Sequence, residues 1–342
     1  MEPLEKLKEL LFGLCACPGT PGAEDSAAEF AVRALGQSCK PAIDPMGNVT
    51  AVFGNPNAER RILLDAHLDQ IGLVVTGIDE QGFLRVAPCG GVDRRVLPGS
   101  PMTVLGKEKL IGVVCCLPPH LVEGGEEKVQ PVDQMAVDIG LPKEEAEKLV
   151  SPGDRIVFCG EQKALLGSRV ASPGLDDRAG CAVLLLAAEL FQNEKLDNCS
   201  VTILLSSREE TGEQGAKTAA YSCDPTEAIV VDVSFAVQPG VPESKSGKLA
   251  GGPMLGMAPS LSREMGDVLE ALAKENGIPF QYEVMGGEAG TNADAIGVSR
   301  AGVRCAMLSI PQRNMHTPAE IVDLQDLEHT AQLIAAYVRR MG

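Results

Sequence analysis

The second half of the chain alternates between two kinds of apolar segment, and this alternation is the strongest constraint on its fold. Short aliphatic and β-branched runs, such as 201–206 and 228–234, have the composition of buried strands. Longer segments with helical spacing separate these runs, at about 178–193, 213–221, 260–276, 293–301 and 324–341. This alternation of strands and helices predicts a mainly parallel sheet with helices on both faces, which is an α/β fold.

The pattern of apolar runs in the first half of the chain changes near residue 70. Before this point we predict amphipathic helices at 4–15 and 24–38 and strands at 47–54 and 60–69. From 70 to 165 the apolar runs are short and are split by Gly and Pro, which is typical of a small β-barrel or sandwich. The sequence therefore predicts an α/β domain built from 1–69 and 166–342, with a β-rich domain of residues 70–165 inserted into it.

Charge and composition narrow the class of protein. The net charge is −17, from 30 basic and 47 acidic residues, and no Lys/Arg cluster stands out, so we expect no nucleic-acid partner. No apolar run reaches about 18 residues, so we expect no membrane span. The 11 cysteines include no CxxC pair and many lie in apolar runs, which indicates buried thiols in a reducing compartment. We therefore expect a cytoplasmic protein.

Two adjacent glutamates, Glu209 and Glu210, follow the apolar run 201–206. Successive side chains of a strand point to opposite faces. If the strand continued through both residues, the two glutamates would lie on opposite faces of the sheet, and one of them would point the wrong way or enter the core. A buried carboxylate is costly unless it is paired or bound to a metal. We therefore expect both glutamates just past the strand end, where open α/β sheets bind ligands. A solvated loop with two charges is the alternative for this stretch alone.

Two further polar residues lie where apolar strands are predicted. Asp232 lies inside the run 228–234, although both strand propensity and burial disfavour aspartate there. His67 lies at the end of another apolar strand, two residues before Asp69. If the strand pattern persists, the Asp69 carboxylate can accept the second imidazole N–H, as is common for metal-binding histidines. A histidine satisfied by local hydrogen bonds is the alternative.

The remaining candidates complete a set of metal-type ligands. Asp176 and Asp177 begin a strongly apolar helix, and an N-cap role explains one aspartate better than two. His316 follows another apolar strand. Two imidazoles and four carboxylates at the ends of core elements suit two Zn²⁺ or Co²⁺ ions about 3.5–4 Å apart, in a hydrolytic site. The set is His67, Asp176, Glu209, Glu210, Asp232 and His316.

Five ordered segments carry a resemblance to a known family. They are "AHLDQIGLVV", "GLDDRAG", "SSREETGEQGA", "VVDVS" and "PQRNMHTPAEIVDLQDLE". Together they resemble the dinuclear metallo-aminopeptidases of the glutamyl-aminopeptidase and tetrahedral-aminopeptidase type, some of which carry an endoglucanase label. The resemblance covers essentially the whole chain. It implies a zinc-exopeptidase-like catalytic domain and an inserted domain that mediates homo-oligomerisation, often into a dodecameric shell.

The resemblance also implies a role for each candidate residue. Asp176, rather than Asp177, would bridge the two metal ions, because the family's bridging position is the first of the pair. Glu209 would be the general base that takes a proton from a metal-activated water, and Asp69 would orient His67. The implied metal ligands are His67 and Asp232 in one site, Glu210 and His316 in the other, and Asp176 in both.

The predicted function is therefore a metal-dependent aminopeptidase that removes the N-terminal residue from short peptides with a free N-terminus. Three departures from the family concern substrate preference: Gln70, Asn314 and the segment 290–300. Alternatives are an N-acyl amino-acid deacylase with the same metals, or a non-catalytic shell-forming homologue. A glycosidase would need two opposed carboxylates and no metal. Candidates for recognising an acidic substrate side chain are Arg94, Arg95, Arg178 and Arg313.

Overall fold

The computed structural model describes residues 3–36, 38–118 and 129–342. The helices are α1 (Pro3–Cys15), α2 (Asp25–Leu35), α3 (Lys143–Leu149), α4 (Leu175–Phe191), α5 (Gln214–Cys223), α6 (Arg263–Asn276), α7 (Asn292–Gly297) and α8 (Leu324–Met341). The first strands are β1 (Ala42–Ile43), β2 (Val49–Gly54), β3 (Arg60–His67), β4 (Gly72–Ile78), β5 (Leu84–Cys89), β6 (Pro101–Leu105), β7 (Lys109–Val114), β8 (Ala136–Asp138) and β9 (Arg155–Phe158). The later strands are β10 (Lys163–Ala164), β11 (Arg169–Ser172), β12 (Cys199–Ser206), β13 (Glu227–Phe235), β14 (Met254–Met257), β15 (Gln281–Val284), β16 (Arg304–Gln312) and β17 (Glu320–Asp323).

The main sheet has eight strands in the order β1-β2-β12-β3-β13-β16-β14-β15. Its centre, β12-β3-β13-β16, is parallel throughout, and β2 and β14 join it antiparallel on either side. Helices α1, α2, α4, α6 and α8 pack in the core on one face, and α5 and α7 pack on the other. The prediction of a mainly parallel sheet covered on both faces is confirmed.

The register of the central strands brings their carboxyl ends to one edge. Ser206 of β12 is level with His67 of β3, and Asp232 of β13 is level with Ser309 of β16. These strands are buried along almost their whole length, which explains their continuous aliphatic sequence. The candidate residues predicted at strand ends are thus held by four neighbouring strands.

A closed six-stranded barrel, in the order β4-β5-β8-β7-β6-β9, is built from residues between 72 and 158. Leu73, Val104, Val137 and Ile156 fill its interior. The expected small β-barrel is therefore present. The predicted domain limits at 69/70 and 165/166, and the role of this domain in assembly, stay predictions.

Some elements differ from the sequence-based expectation. The helix expected at 293–301 ends at Gly297, and β14 was not predicted, because its four residues include a glycine and show no alternation. A small sheet, β10-β11-β17, was also missed, because β17 begins with the buried acid Glu320. Among the described residues, no helix combines the length and the apolar character needed to cross a bilayer. The cysteines are free thiols, in line with the composition.

Candidate functional site

His67 is the last residue of β3 and is almost fully buried. Its Nε2 lies 3.1 Å from Asp176 Oδ1. Its Nδ1 lies 3.0 Å from the Asp69 carbonyl oxygen and 3.5 Å from Asp69 Oδ1. The predicted contact with the Asp69 carboxylate is present, but the backbone carbonyl of the same residue is nearer. Both ring nitrogens thus have a partner, which holds the imidazole in one orientation.

The Asp69 carboxylate also organises the two glutamates. Its Oδ1 accepts from the Glu209 N–H at 3.0 Å, and its Oδ2 accepts from the Glu210 N–H at 3.1 Å. Strand β12 ends at Ser206, and both glutamates lie in a single 3₁₀ turn, Glu209–Thr211. The expectation that they follow the strand end is confirmed. One carboxylate therefore couples the turn after β12 to the end of β3.

Asp176 lies between the two imidazoles of the site. Its Oδ1 faces His67, and its Oδ2 lies 3.0 Å from His316 Nε2. Its neighbour Asp177 is turned to the backbone, where it accepts from the His67 N–H at 3.3 Å and from the Gly180 N–H at 2.9 Å. Only the first aspartate of the pair thus contacts both imidazole rings.

Asp232 and Glu210 contact different imidazoles of this arrangement. Asp232 Oδ1 is 3.9 Å from His67 Nε2, and Glu210 Oε1 is 3.3 Å from His316 Nε2. The other ring nitrogen of His316 lies 2.8 Å from the Gly91 carbonyl oxygen, in the segment that follows β5. A Cβ at Gly91 would lie 2.9 Å from the His316 ring, so this position requires glycine. The structure therefore brings all seven sequence-predicted residues into one cluster.

The sequence matches the profile of the M42 glutamyl aminopeptidases over residues 47–333. The chain belongs to this family. It is similar to the lysyl aminopeptidase of Pyrococcus furiosus, with 34% identity over 307 residues that cover 87% of this chain and 86% of that protein. The resemblance proposed from five segments is confirmed, and with it the class of peptidase hydrolases.

Solved structures agree with this membership. An aminopeptidase from the archaeon Desulfurococcus kamchatkensis superimposes with a TM-score of 0.93 at 32% identity, covering 99% of this chain and 96% of that one. The TET1 peptidase of Pyrococcus horikoshii, which can assemble into a tetrahedron or a large octahedral shell, gives a TM-score of 0.87 at 33% identity. That match covers 97% of this chain and 99% of the other. The M42 fold is thus shared over the whole chain.

Burial and the close spacing of the carboxylates shift the pKa values of the residues in this M42 site. Burial raises the pKa of Asp177 and of Asp232 well above the ordinary value, and raises the pKa of Glu209 to about 7. Burial opposes protonation of the histidines, but hydrogen bonds to carboxylates outweigh it: the pKa of His67 rises well above its usual range and that of His316 rises to about 11. Without a cation, the site therefore retains protons.

These residues fit divalent metal ions. One ligand atom each from His67, Asp176 and Glu210 lies within 4.8 Å of the others, and the same holds for His67, Asp177 and Asp232. The donors are imidazole nitrogens and carboxylate oxygens, a set typical of hydrolytic zinc sites. A divalent cation would replace the protons that the M42 site otherwise retains.

Glu320, which the sequence analysis did not single out, supports two of these residues. Its Oε2 accepts from the Asp176 N–H at 3.2 Å, and its Oε1 accepts from the His316 N–H at 2.9 Å. The side chain is almost fully buried at the start of β17, and burial raises its pKa to about 8. The available signal was an acidic residue directly before the apolar pair Ile321 and Val322.

Proposed function

We propose that this M42 family member is a dinuclear metallo-aminopeptidase that removes the N-terminal residue from short peptides. The observation that carries the proposal is the position of Asp176, whose two carboxylate oxygens face His67 and His316 separately. A carboxylate between two imidazoles is the arrangement that a bridging ligand needs. The proposed metals are Zn²⁺ or Co²⁺.

The proposed ligand assignment pairs each of the two outer acids with the imidazole that it contacts. Asp176 would bridge, His67 and Asp232 would hold one ion, and Glu210 and His316 would hold the other. The 3.3 Å contact between Glu210 and His316 supports their pairing. Once bound, two divalent ions would lower the pKa of a water molecule toward neutrality and polarise the scissile carbonyl group.

Glu209 is proposed as the general base. Its backbone N–H is held by Asp69, and its carboxylate lies close enough to His67 and Glu210 for their charges to act on its pKa. Because burial raises its pKa to about 7, it is suited to accept a proton from the attacking water and to pass it to the leaving amine. Asp69 therefore has two positioning roles, one toward Glu209 and one toward His67.

The peptide substrate, the assembly and the location are further parts of the proposal. A positively charged N-terminus suits a cluster of carboxylates. We propose that residues 1–69 and 166–342 form the catalytic domain and that the inserted residues 70–165 mediate homo-oligomerisation. The largest assembly that we propose is a dodecamer. The assembly of the Pyrococcus horikoshii peptidase supports this. A cytoplasmic location agrees with the free cysteines.

A panel of aminoacyl anilides with free amino groups (Glu, Asp, Leu, Lys and Ala) tests the activity. We expect turnover that a chelator abolishes and that Zn²⁺ or Co²⁺ restores. N-acetylated counterparts provide the control, because a deacylase would prefer them. If no compound is cleaved after metal is restored, the aminopeptidase proposal fails in favour of the deacylase or the non-catalytic homologue.

Glu209→Gln tests the general base. We expect bound metal to be retained and the rate to fall about 10²–10⁴-fold, the usual range for acid–base catalysis. Asp232→Ala is the matched variant, and it should instead lower the metal content of the purified protein. Metal content measured by elemental analysis, together with kcat, separates the two roles. A Glu209→Gln enzyme with full activity would exclude this assignment.

A further inference from the structure

A cleft of about 410 Å³ lies between the barrel strands and the loops that follow α1 and β12. Its walls include Cys89 and Arg155 from the barrel strands, and Gly22, Arg208 and Thr211 from the rest of the chain. None of the residues assigned above to the metals or to proton transfer lines it. The cleft is therefore a separate feature that the proposed chemistry does not explain.

Two guanidinium groups converge in this cleft. A Cβ built on Gly22 would lie 3.6 Å from Arg155 Nη2 and 3.7 Å from Arg208 Nε. Gly22 has φ of 78°, and its missing side chain leaves the space between the two groups open. Two positive charges thus face the same small volume.

The two guanidinium groups form no ion pair with an acid among the described residues. Within the described ranges, neither arginine has a carboxylate oxygen within 4.0 Å, and the Nε atoms of both are buried without a hydrogen-bond acceptor. In the part of the chain that the structure describes, Arg155 donates from its Nη atoms only to the carbonyl oxygens of Gly153 and Pro21. Elsewhere in this acidic chain, arginines such as Arg85 pair with a carboxylate. A buried N–H group usually has an acceptor, and the described residues supply none to these two Nε atoms.

The nearest acid does not fill this role. Glu24 Oε1 accepts from the backbone N–H groups of Gly22 and Arg208, so its carboxylate holds the loop and not the guanidinium groups. Arg178, one of the arginines considered from the sequence, also has Nε and Nη2 without an acceptor, but it is fully buried, donates to the Leu14 carbonyl oxygen and does not line the cleft. The cleft arginines are therefore better placed to meet a ligand.

The cleft lies directly beside the candidate metal centre. Arg208 and Thr211 flank Glu209 and Glu210 in the chain. Cys89 precedes Gly90, where a Cβ would lie 3.0 Å from Glu210 Oε2. The segments that line the cleft thus also contribute to or contact the metal cluster, so the cleft and the cluster are neighbours.

The geometry points to a subsite in which Arg155 and Arg208 bind a carboxylate of the peptide substrate. This inference rests on the proposed function. Guanidinium groups match a carboxylate through charge-assisted hydrogen bonds, and two of them around one space favour an anion over any neutral group. The carboxylate has two sources, an acidic side chain at the N-terminal residue or the C-terminus of a short peptide.

Substrate pairs that differ by one carboxylate test the subsite. Glu-p-nitroanilide and Gln-p-nitroanilide differ in the side chain, and Leu-Gly-Gly and its C-terminal amide differ in the terminus. In Arg155→Gln and in Arg208→Gln, we expect kcat/KM for the anionic member of one pair to fall about 10- to 100-fold more than for its neutral counterpart. The pair that responds identifies the source of the carboxylate.

Arg85→Gln is the matched control, because Arg85 also lies on a barrel strand but pairs with Asp79. It should leave both ratios unchanged. Equal losses for charged and neutral members, or no loss in either pair, would overturn the subsite. If wild type cleaves none of the four compounds and none of the aminoacyl anilides in the panel above, the proposed function fails instead. Calorimetric titration of the same compounds then still compares carboxylate binding by wild type and by Arg155→Gln, and equal affinities would overturn the subsite.

Discussion

Two single carboxylates in this protein each hold a pair of backbone amides in the candidate site. Asp69 accepts from Glu209 and Glu210, and Glu320 accepts from Asp176 and His316. In both cases the amides belong to residues whose side chains form the cluster. The contribution of these two acids is thus to fix the backbone from which the ligands project, as outer-shell partners of metal sites do.

Glu320→Gln tests this positioning role. The amide keeps one acceptor oxygen, so one of the two backbone N–H groups loses its acceptor in a buried place. We expect metal affinity or kcat to fall about 10–100-fold with little change in KM, as for outer-shell partners of metal sites. Titration with metal and steady-state kinetics at saturating metal provide the measurement.

Glu320→Asp is the control for this variant, since it keeps the carboxylate but has a side chain that is one methylene group shorter. We expect it to recover part of the metal affinity. If Glu320→Gln lowers only the melting temperature, and its metal affinity and kcat equal those of wild type, Glu320 serves the fold alone.

At the scale of elements, the turn after β12 depends on close packing with the start of α5. Gly215 donates its N–H to the Ser207 carbonyl oxygen, and Asn48 joins the two segments by accepting from the Ser207 N–H and donating to the Gly215 carbonyl oxygen. A Cβ at Gly215 would lie 2.2 Å from Asn48 Oδ1 and 2.3 Å from the Ser207 carbonyl oxygen. This contact fixes the segment that leads into Glu209.

Gly215→Ala should therefore shift the turn. We expect destabilisation of about 1–3 kcal/mol from overpacking, together with a lower kcat. Gly266→Ala is the matched control: Gly266 lies in α6, and a Cβ there would meet no atom within 4 Å. That variant should keep its activity and gain up to about 1 kcal/mol from helix propensity. Melting temperatures and kcat of both variants check this, and equal behaviour would contradict the packing argument.

At the scale of the whole molecule, the cluster joins the main sheet and the barrel region. The segment after β5 contacts His316 through the Gly91 carbonyl oxygen, while the cluster residues proposed as ligands come from β3, α4, β13 and two loops. The charges of these parts repel one another without a cation. Metal removal should thus affect the stability of the entire chain as well as its activity.

The stability of the metal-free protein should fall as pH rises. The raised pKa values of Glu209 (about 7) and Glu320 (about 8) mean that the folded state retains protons that the unfolded state loses above about pH 4.5. His316, with a pKa of about 11, retains its proton above the unfolded value near 6.5. Each of the three pKa shifts therefore stabilises the folded state at low pH. For each group, this stabilisation is lost as the pH rises from the pKa of the unfolded state to that of the folded state.

Chelation should consequently lower the melting temperature more at pH 8 than at pH 6. A bound divalent ion favours the deprotonated ligands, so the protein with metal escapes most of this loss. Differential scanning calorimetry with and without chelator, at both pH values and constant ionic strength, measures the difference. A chelator effect that is equal at both pH values would show that the cluster is not the metal site.

Much of this organisation follows from local sequence. The aliphatic runs and the helical spacing determine which segments are strands and helices, and Gly and Pro shorten the strands that form the barrel. Asp232 was found because an acid inside an apolar strand conflicts with burial. The short strands β14 and β17 could not be predicted, because they exist only through their neighbours in the sheets.

The sequence by itself determined the fold class and the set of residues that cluster at the strand ends, because hydrophobic periodicity and misplaced acids are local signals. Only the tertiary structure decided how these residues face one another. Asp176 lies between the imidazoles and Asp177 does not, Glu320 holds two distant amides, and Arg155 meets Arg208 over Gly22. Each of these three arrangements depends on contacts between residues that are far apart in the chain. The spacing of residues along the sequence does not predict such contacts.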